Sequence, residues 1–132
     1  MYYLDTNVLV DCSKGANFHV LNTLKKQSPN NIKIPAIVEA ELMFGVYRGV
    51  NAEEKIRKLE EIISPYEIIP FDDAAARVYG KLRAEMQSEG NVIGPNDLII
   101  ASSVLSRGGI LVTSNTKEFN RVKGLRVEDW RK

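Results

Sequence analysis

The run Met1-Tyr2-Tyr3-Leu4-Asp5-Thr6-Asn7-Val8-Leu9-Val10-Asp11 decides the fold. Tyr2, Tyr3 and Leu4 are β-formers with no turn residue among them, and they read as a short buried strand. Asp5, Thr6 and Asn7 are all good N-cap types, and Val8-Leu9-Val10 supplies the apolar side of a helix that starts at once. Asp5 therefore stands at the carboxyl end of a strand, where open α/β sheets bind their ligands. Taken alone, Asp5 reads equally well as a plain helix cap. Partners elsewhere in the chain must decide.

Outward from this stretch, strands are expected at residues 32–35, 66–70, 110–113 and 125–127, each separated from the next by helical patterning. Phe18, Leu21 and Leu24 recur at helical spacing. A second helix carries Ile37, Val38, Leu42, Phe44 and Val46 and stops at Gly49. Asn51 is placed to cap a third, whose stripe of Ile56, Leu59, Ile62 and Ile63 lies opposite Glu53, Glu54, Lys55, Arg57, Lys58, Glu60 and Glu61. That charged side reads as a solvated face with i,i+4 pairing and no chemistry. Asp72 or Asp73 caps a longer helix with Ala75, Val78, Tyr79, Leu82 and Met86 on one side. Asn96 caps an apolar helix over residues 97–106, and residues 116–121 form a helical turn. No hairpin turn joins two strands, so right-handed βαβ crossovers are expected. The fold class is α/β, a three-layer α/β/α sandwich with a short, mainly parallel central sheet. Its 132 residues suit one domain spanning 1–132.

Composition narrows the function classes. With 18 basic and 17 acidic residues the net charge is +1, so a nucleic-acid partner would need a local basic patch. The single cysteine, Cys12, excludes an internal disulfide and a cysteine zinc site, and fits a reducing cytoplasm. His19 is the only histidine, in a polar stretch, which leaves little room for Ser-His-Asp or Cys-His chemistry. Neither a signal peptide nor an apolar run of spanning length is visible. A cytoplasmic domain with no membrane contact is expected.

Two further acids stand out. Glu41 has Ile37, Val38, Phe44 and Gly45 at its i−4, i−3, i+3 and i+4 positions, so it lies on an apolar stripe with open space beside Gly45, and a cation or donor should be waiting for it. Glu39 points about 200° away around the helix. Asp97 opens the most apolar helix, after Gly94-Pro95-Asn96. Capping or dipole roles explain Asp5 and Asp97 singly. They do not explain why three acids should reach one rim. Carboxylates gathered there repel unless a cation intervenes. Oxygen ligands without cysteine or histidine suit Mg²⁺ or Mn²⁺. Such an ion activates water and neutralises phosphate charge, which points to phosphodiester hydrolysis.

The four segments Leu4-Asp5-Thr6-Asn7, Ala40-Glu41-Leu42 with Phe44-Gly45, Ile93-Gly94-Pro95-Asn96-Asp97, and Leu111 through Phe119 resemble, in this order and spacing, the PIN domain. Within it, the chain resembles the VapC-type toxin ribonucleases of toxin–antitoxin pairs. The resemblance implies a parallel sheet with an acidic Mg²⁺/Mn²⁺ pocket at its carboxyl edge and endonucleolytic cleavage of RNA. It also implies a homodimer and a small antitoxin as partners. Asp5, Glu41 and Asp97 match the family's core acids. Many members carry aspartate where Asn115 stands. Glu118, one helical turn on, resembles the acid that some members use instead and is taken as the fourth catalytic and metal-binding acid, with Asn115 as a positioning group. Asn7, Thr113 and Ser114 are supporting residues, and Lys14, Arg48, Arg83 and Lys117 are RNA-binding candidates.

Other readings fit less well. Haloacid-type phosphatases need a second aspartate two residues after the first, where this chain has Asn7. Receiver domains need an acceptor aspartate ending the third strand, which here ends at Ile69-Pro70. A PIN-like binding module without catalysis is made conceivable by Asn115, against which stand three intact acids and Glu118. Phe44, Val46, Tyr47 and Val50 crowd one helix end, and are expected either to form a dimer or antitoxin surface or to be a core stripe.

Overall fold

The computed structural model describes residues 1–131; Lys132, the last residue of the expected domain, lies outside the described residues. Strands and helices alternate along it in the order β1 (Tyr2–Leu4), α1 (Thr6–Lys14), α2 (Phe18–Lys26), β2 (Ile32–Pro35), α3 (Ala36–Tyr47), α4 (Ala52–Ile63), β3 (Glu67–Ile69), α5 (Asp73–Ser88), α6 (Pro95–Leu105), β4 (Ile110–Val112), α7 (Thr116–Phe119) and β5 (Arg126–Glu128). Every strand pairing is parallel, and the sheet order is β3-β2-β1-β4-β5. The expected α/β/α sandwich is what forms.

The sheet order fixes where a ligand belongs. From β1 the chain winds outward through β2 to β3, then returns to lay β4 on the other side of β1. The winding reverses between β1 and β4, and crevices of open α/β sheets lie at the carboxyl ends of such a strand pair. Asp5 follows β1 directly, and Thr113 to Glu118 follow β4.

The sheet is covered on both faces. Successive residues of one strand point to opposite sides, yet Tyr3 and Leu4 are both buried, as are Leu111 and Val112. Ile32, Ile34, Val38, Ile100 and Phe119 complete the centre of the core. The register Leu4↔Val112 is closed by the Asp5 backbone N–H, which donates to the Val112 carbonyl at 2.9 Å. Among the described residues no helix is long and apolar enough to cross a membrane.

Several local expectations are corrected. The buried positions of α2 are Val20 and Leu24, and Phe18 stands 76% exposed. Asn17 caps this helix through a bond from the Val20 N–H, which turns Phe18 outward. The cap of α6 is Gly94, not Asn96, because Pro95 occupies the first helical position, where no N–H is required. Asn96 is thereby free for another partner. Of the two residues expected to cap α5, Asp72 is the one that does, accepting from the Ala75 N–H at 3.0 Å. Asn51 precedes α4 in the left-handed region at φ 57° and makes no side-chain cap bond. Among the described residues, α4 contains no ion pair within itself, and the i,i+4 pair that does form joins Arg77 to Asp73 on α5.

Gly109 sets the approach of α6's exit to β1. A Cβ at this position would run into the Tyr3 ring and lie 3.3 Å from the Met1 carbonyl. Gly109→Ala is therefore expected to destabilise the fold by about 1–3 kcal/mol through overpacking at the β1–β4 seam. Urea unfolding measures it, and an unchanged midpoint would show that the seam is not tightly held.

Candidate active site

The site is assembled on the β1–β4 pair. Asp5 is buried to 4% exposure. Its Oδ1 accepts from the Thr6 backbone N–H at 2.8 Å, and its Oδ2 accepts from the Thr113 hydroxyl at 2.6 Å. The Thr113 oxygen accepts in turn from the Asn115 N–H at 3.0 Å, so its proton is committed to Asp5. Thus Thr113 does more than close a strand end: it spans the crevice between the two strands.

Glu41 arrives from the middle of α3, half-buried. The expected donor is present, and it is a hydroxyl: Thr6 Oγ1 donates to Glu41 Oε1 at 2.8 Å, and Asn96 Nδ2 lies 3.5 Å from Oε2. Among the described residues Glu41 forms no ion pair with Arg48 or a lysine. The neighbours that defined the apolar stripe divide: Val38 is buried, whereas Phe44 is 66% exposed. Asp97 sits in the first turn of α6, and Glu118 in α7 accepts from the Gly94 N–H at 3.0 Å and from Asn115 Nδ2 at 2.7 Å. Asn7 reaches Ser114 Oγ at 3.5 Å.

Asp5 and Asp97 feel the acids around them. Burial, then the neighbouring Glu118 carboxylate, pushes Asp97 up to about 7 despite its place at a helix N-terminus, and Asp5 and Glu41 add to the rise. Its carboxyl is protonated at mild acidity and donates to Glu118. Asp5 is also raised, by burial first, against the pull of its Thr113 and Thr6 bonds, with Glu41 and Glu118 raising it further. Glu118 is lowered by the Gly94 N–H first, then by Asn115. Gly94 is the cap of α6 and Asp97 lies inside its first turn, so Asp97 is not the capping residue.

Among the described residues no three carboxylate, imidazole or thiol groups already converge closely enough to hold a metal ion. Asp5, Glu41 and Glu118 spend oxygens on protein donors, and Asp97 spends its proton on Glu118. The donor chemistry nevertheless fits a hard divalent cation: four carboxylates share one rim, and the shifts of Asp5 and Asp97 come from burial and other carboxylates, with no basic side chain offsetting them. Cys12 offers no alternative nucleophile, since burial pushes its thiol up to about 11.

Beside the acids lies a cleft of ≈ 550 Å³ between α1, α3 and α4, bordered by Thr6 and Glu41 at one end. Lys14 and Arg48 line it, as expected for residues near the rim. Arg83 is engaged elsewhere, donating to the Tyr79 hydroxyl at 3.0 Å, and Lys117 is exposed beside Glu118. Lys55 and Lys58 line the cleft as well, so part of the α4 face read as merely solvated is turned toward the site. Sequence reading also missed Thr6, Asn96 and the Gly94 N–H as groups holding the acids. Thr6 directly follows Asp5, and Asn96 directly precedes Asp97; adjacency was the available signal.

Residues 2–125 match the PIN domain family. The chain is 40% identical to Ribonuclease VapC2 of Rickettsia felis over 133 residues, covering 100% of this chain and 99% of that protein. It is 35% identical to the tRNA(fMet)-specific endonuclease VapC of Shigella flexneri, covering 98% and 97%. Its fold is similar to the crystal structure of VapBC2 from Rickettsia felis bound to a promoter DNA fragment, with a TM-score of 0.91, 38% identity and 98% of each chain covered.

The raised acids set a pH dependence. A carboxyl held above its ordinary value favours the fold fully below that value, 3.8 for Asp97, and the contribution is lost as pH rises toward about 7. Asp5 acts in the same sense, and Glu118, being lowered, acts oppositely at lower pH. In chelator, the melting temperature is expected to fall between pH 5 and pH 7.5, and Asp97→Asn to flatten that fall. A flat profile for the unmodified chain, followed by circular dichroism, would dissolve the coupling between the acids.

Proposed function

The chain belongs to the PIN domain family, within its VapC ribonucleases, and on that premise we propose that it is an endoribonuclease whose working groups are Asp5, Glu41, Asp97 and Glu118 with Mg²⁺, or Mn²⁺ as a substitute. The observation that carries the reading is the gathering of carboxylates at the β1–β4 switch point, where burial and then the neighbouring acids raise Asp5 and Asp97. When bound there, such a cation supplies positive charge that lowers the pKa of water and offsets phosphate charge. The residues that would hold it are the four acids.

The chain's own groups have distinct tasks. Asp5 is the fixed member, pinned by Thr113 and the Thr6 N–H. Thr6 and Asn96 orient Glu41. Asp97 holds a proton up to about pH 7 and must give it up when a cation enters, so affinity for the cation should rise with pH toward that value. Asn115 orients Glu118, which supports the fourth acid standing at position 118. Four acids in one electrostatic unit argue against a module stripped of catalysis, and Asn7 two residues after Asp5 argues against a phosphatase of the haloacid type. The substrate is RNA. An antitoxin protein is the expected partner, as relatives of similar fold are solved as VapBC complexes. Phe44, Tyr47 and Val50, each more than 60% exposed at the end of α3, are the surface proposed for self-association or for the antitoxin, whereas Val46 packs on the core.

Substituting Asp97→Asn or Glu41→Gln is expected to cut Mg²⁺-dependent RNA cleavage on the order of a hundredfold or more while the fold persists. Asn115→Ala, which removes only the orienting bond, should cost roughly 10–100-fold in cation affinity and less than Glu118→Gln does. Calorimetric Mg²⁺ titration together with a cleavage assay ranks the variants. Normal cleavage by Asp97→Asn sinks the assignment. Separately, sedimentation at micromolar concentration should give a dimer that Tyr47→Glu dissociates; a monomeric unmodified chain would remove the self-association surface.

A further inference from the structure

The cleft between α1, α3 and α4 is unclaimed by the four acids although it opens beside them. Its floor is aliphatic, from Leu9, Leu42, Val46 and Leu59, of which Leu9, Leu42 and Leu59 are buried. Its rim carries Lys14, Arg48, Lys55 and Lys58, and its one lining carboxylate is Glu41. Among the described residues none of these four cations forms an ion pair. In a chain whose net charge is +1, that is a local concentration of uncompensated positive charge.

We propose that this cleft seats the nucleotide of the RNA strand next to the cleaved phosphate, with backbone phosphates on Lys55, Lys58 and Lys14 and the base lowered onto the aliphatic floor. The inference rests on the ribonuclease reading and adds the path of the strand. Three observations carry it. Continuity comes first: Thr6 and Glu41 belong both to the acidic site and to the cleft wall, so a strand leaving the acids enters the cleft. Charge comes second, since a polyanion suits four cations without ion pairs, and single-stranded nucleic acids are tracked by such basic grooves. The third is the mouth. There the Arg48 guanidinium is held 5.5 Å from the Phe44 ring centroid, and its planar cation is a surface on which a following base can stack.

Two glycines bear on the cleft and its rim. At Gly49 a Cβ would sit 3.3 Å from Lys55 Nζ, so the missing side chain leaves room for the ammonium at the carboxyl end of α3. Gly45 lines the cleft from within α3, and a Cβ there would meet nothing within 4 Å. A side chain added at Gly45 therefore fills the cleft without disturbing its walls, and it should favour the helix.

The test uses the full chain in chelator, where RNA is bound and not cut, with fluorescence anisotropy of a labelled short single-stranded oligoribonucleotide over a salt series. Lys55→Ala and Lys58→Ala are each expected to lower the slope of log affinity against log salt by roughly 0.7, the value for one lost phosphate contact on a single strand. Gly45→Leu should weaken binding roughly tenfold or more, whereas Gly45→Ala stays near the unmodified chain and both melt at least as high. An unchanged slope, with full affinity in Gly45→Leu, overturns the inference; if Mg²⁺-dependent cleavage persists in those variants, the ribonuclease reading survives it. If the unmodified chain neither binds nor cuts RNA, both fall together. Loss of antitoxin binding alone, with RNA binding intact, would assign the cleft to protein and overturn the proposal.

Discussion

Everything at the carboxyl edge depends on keeping one carboxylate out of water. Asp5 follows the central strand at 4% exposure, and an unpartnered carboxylate so buried would cost several kcal/mol or more. Thr113 removes that problem from across the sheet by donating to Oδ2 at 2.6 Å. The bond exists only while β4 lies beside β1 in the Leu4↔Val112 register. That adjacency is produced by the reversal of winding, and Gly109 permits the approach of the β1 ring that accompanies it. Sheet topology and acid placement are thus one constraint seen at two scales.

The remaining acids are added on helices, and they are held less firmly. Glu41 hangs on a hydroxyl and a long amide contact; Asp97 shares a proton with Glu118. Mutual repulsion makes this rim a source of instability near neutral pH, where Asp97 begins to ionise. The core centred on Leu4, Ile34, Ile100 and Leu111 has to outweigh it. Such opposition between local strain and global packing is expected where a site needs charge more than the fold does.

The order of strands and helices could be read from the sequence because alternating apolar strands and Pro or Gly stops are local signals. So could the nearness of Asp5, Glu41 and Asp97 to one rim, since each precedes or interrupts an apolar run. What escaped reading was set by tertiary contact. The cap of α6 moved to Gly94 because Pro95 claims the first helical position, and this released Asn96 to face Glu41. Lys55 and Lys58 belong to a helix whose charges look uniformly solvated in one dimension, yet the packing of α4 against α1 and α3 turns two of them onto the cleft. Phe18 followed helical periodicity and is nevertheless exposed, since Asn17 starts α2 one residue before it and the helix buries its Val20–Leu24 side.

The amide at position 115 is the departure that tests whether the site is complete. Its Nδ2 donates to Glu118 Oε2 at 2.7 Å. A second carboxylate at position 115 would set two negative oxygens at that distance, and the repulsion would raise one of them strongly. With asparagine there, the same geometry becomes a hydrogen bond, and Glu118 is lowered instead of raised. Glu118 in turn accepts the Asp97 proton and the Gly94 N–H, tying α7 to the start of α6. Asparagine at 115 thus leaves a carboxylate at this end of the sheet, Glu118 three residues on, and holds it in place through its own amide.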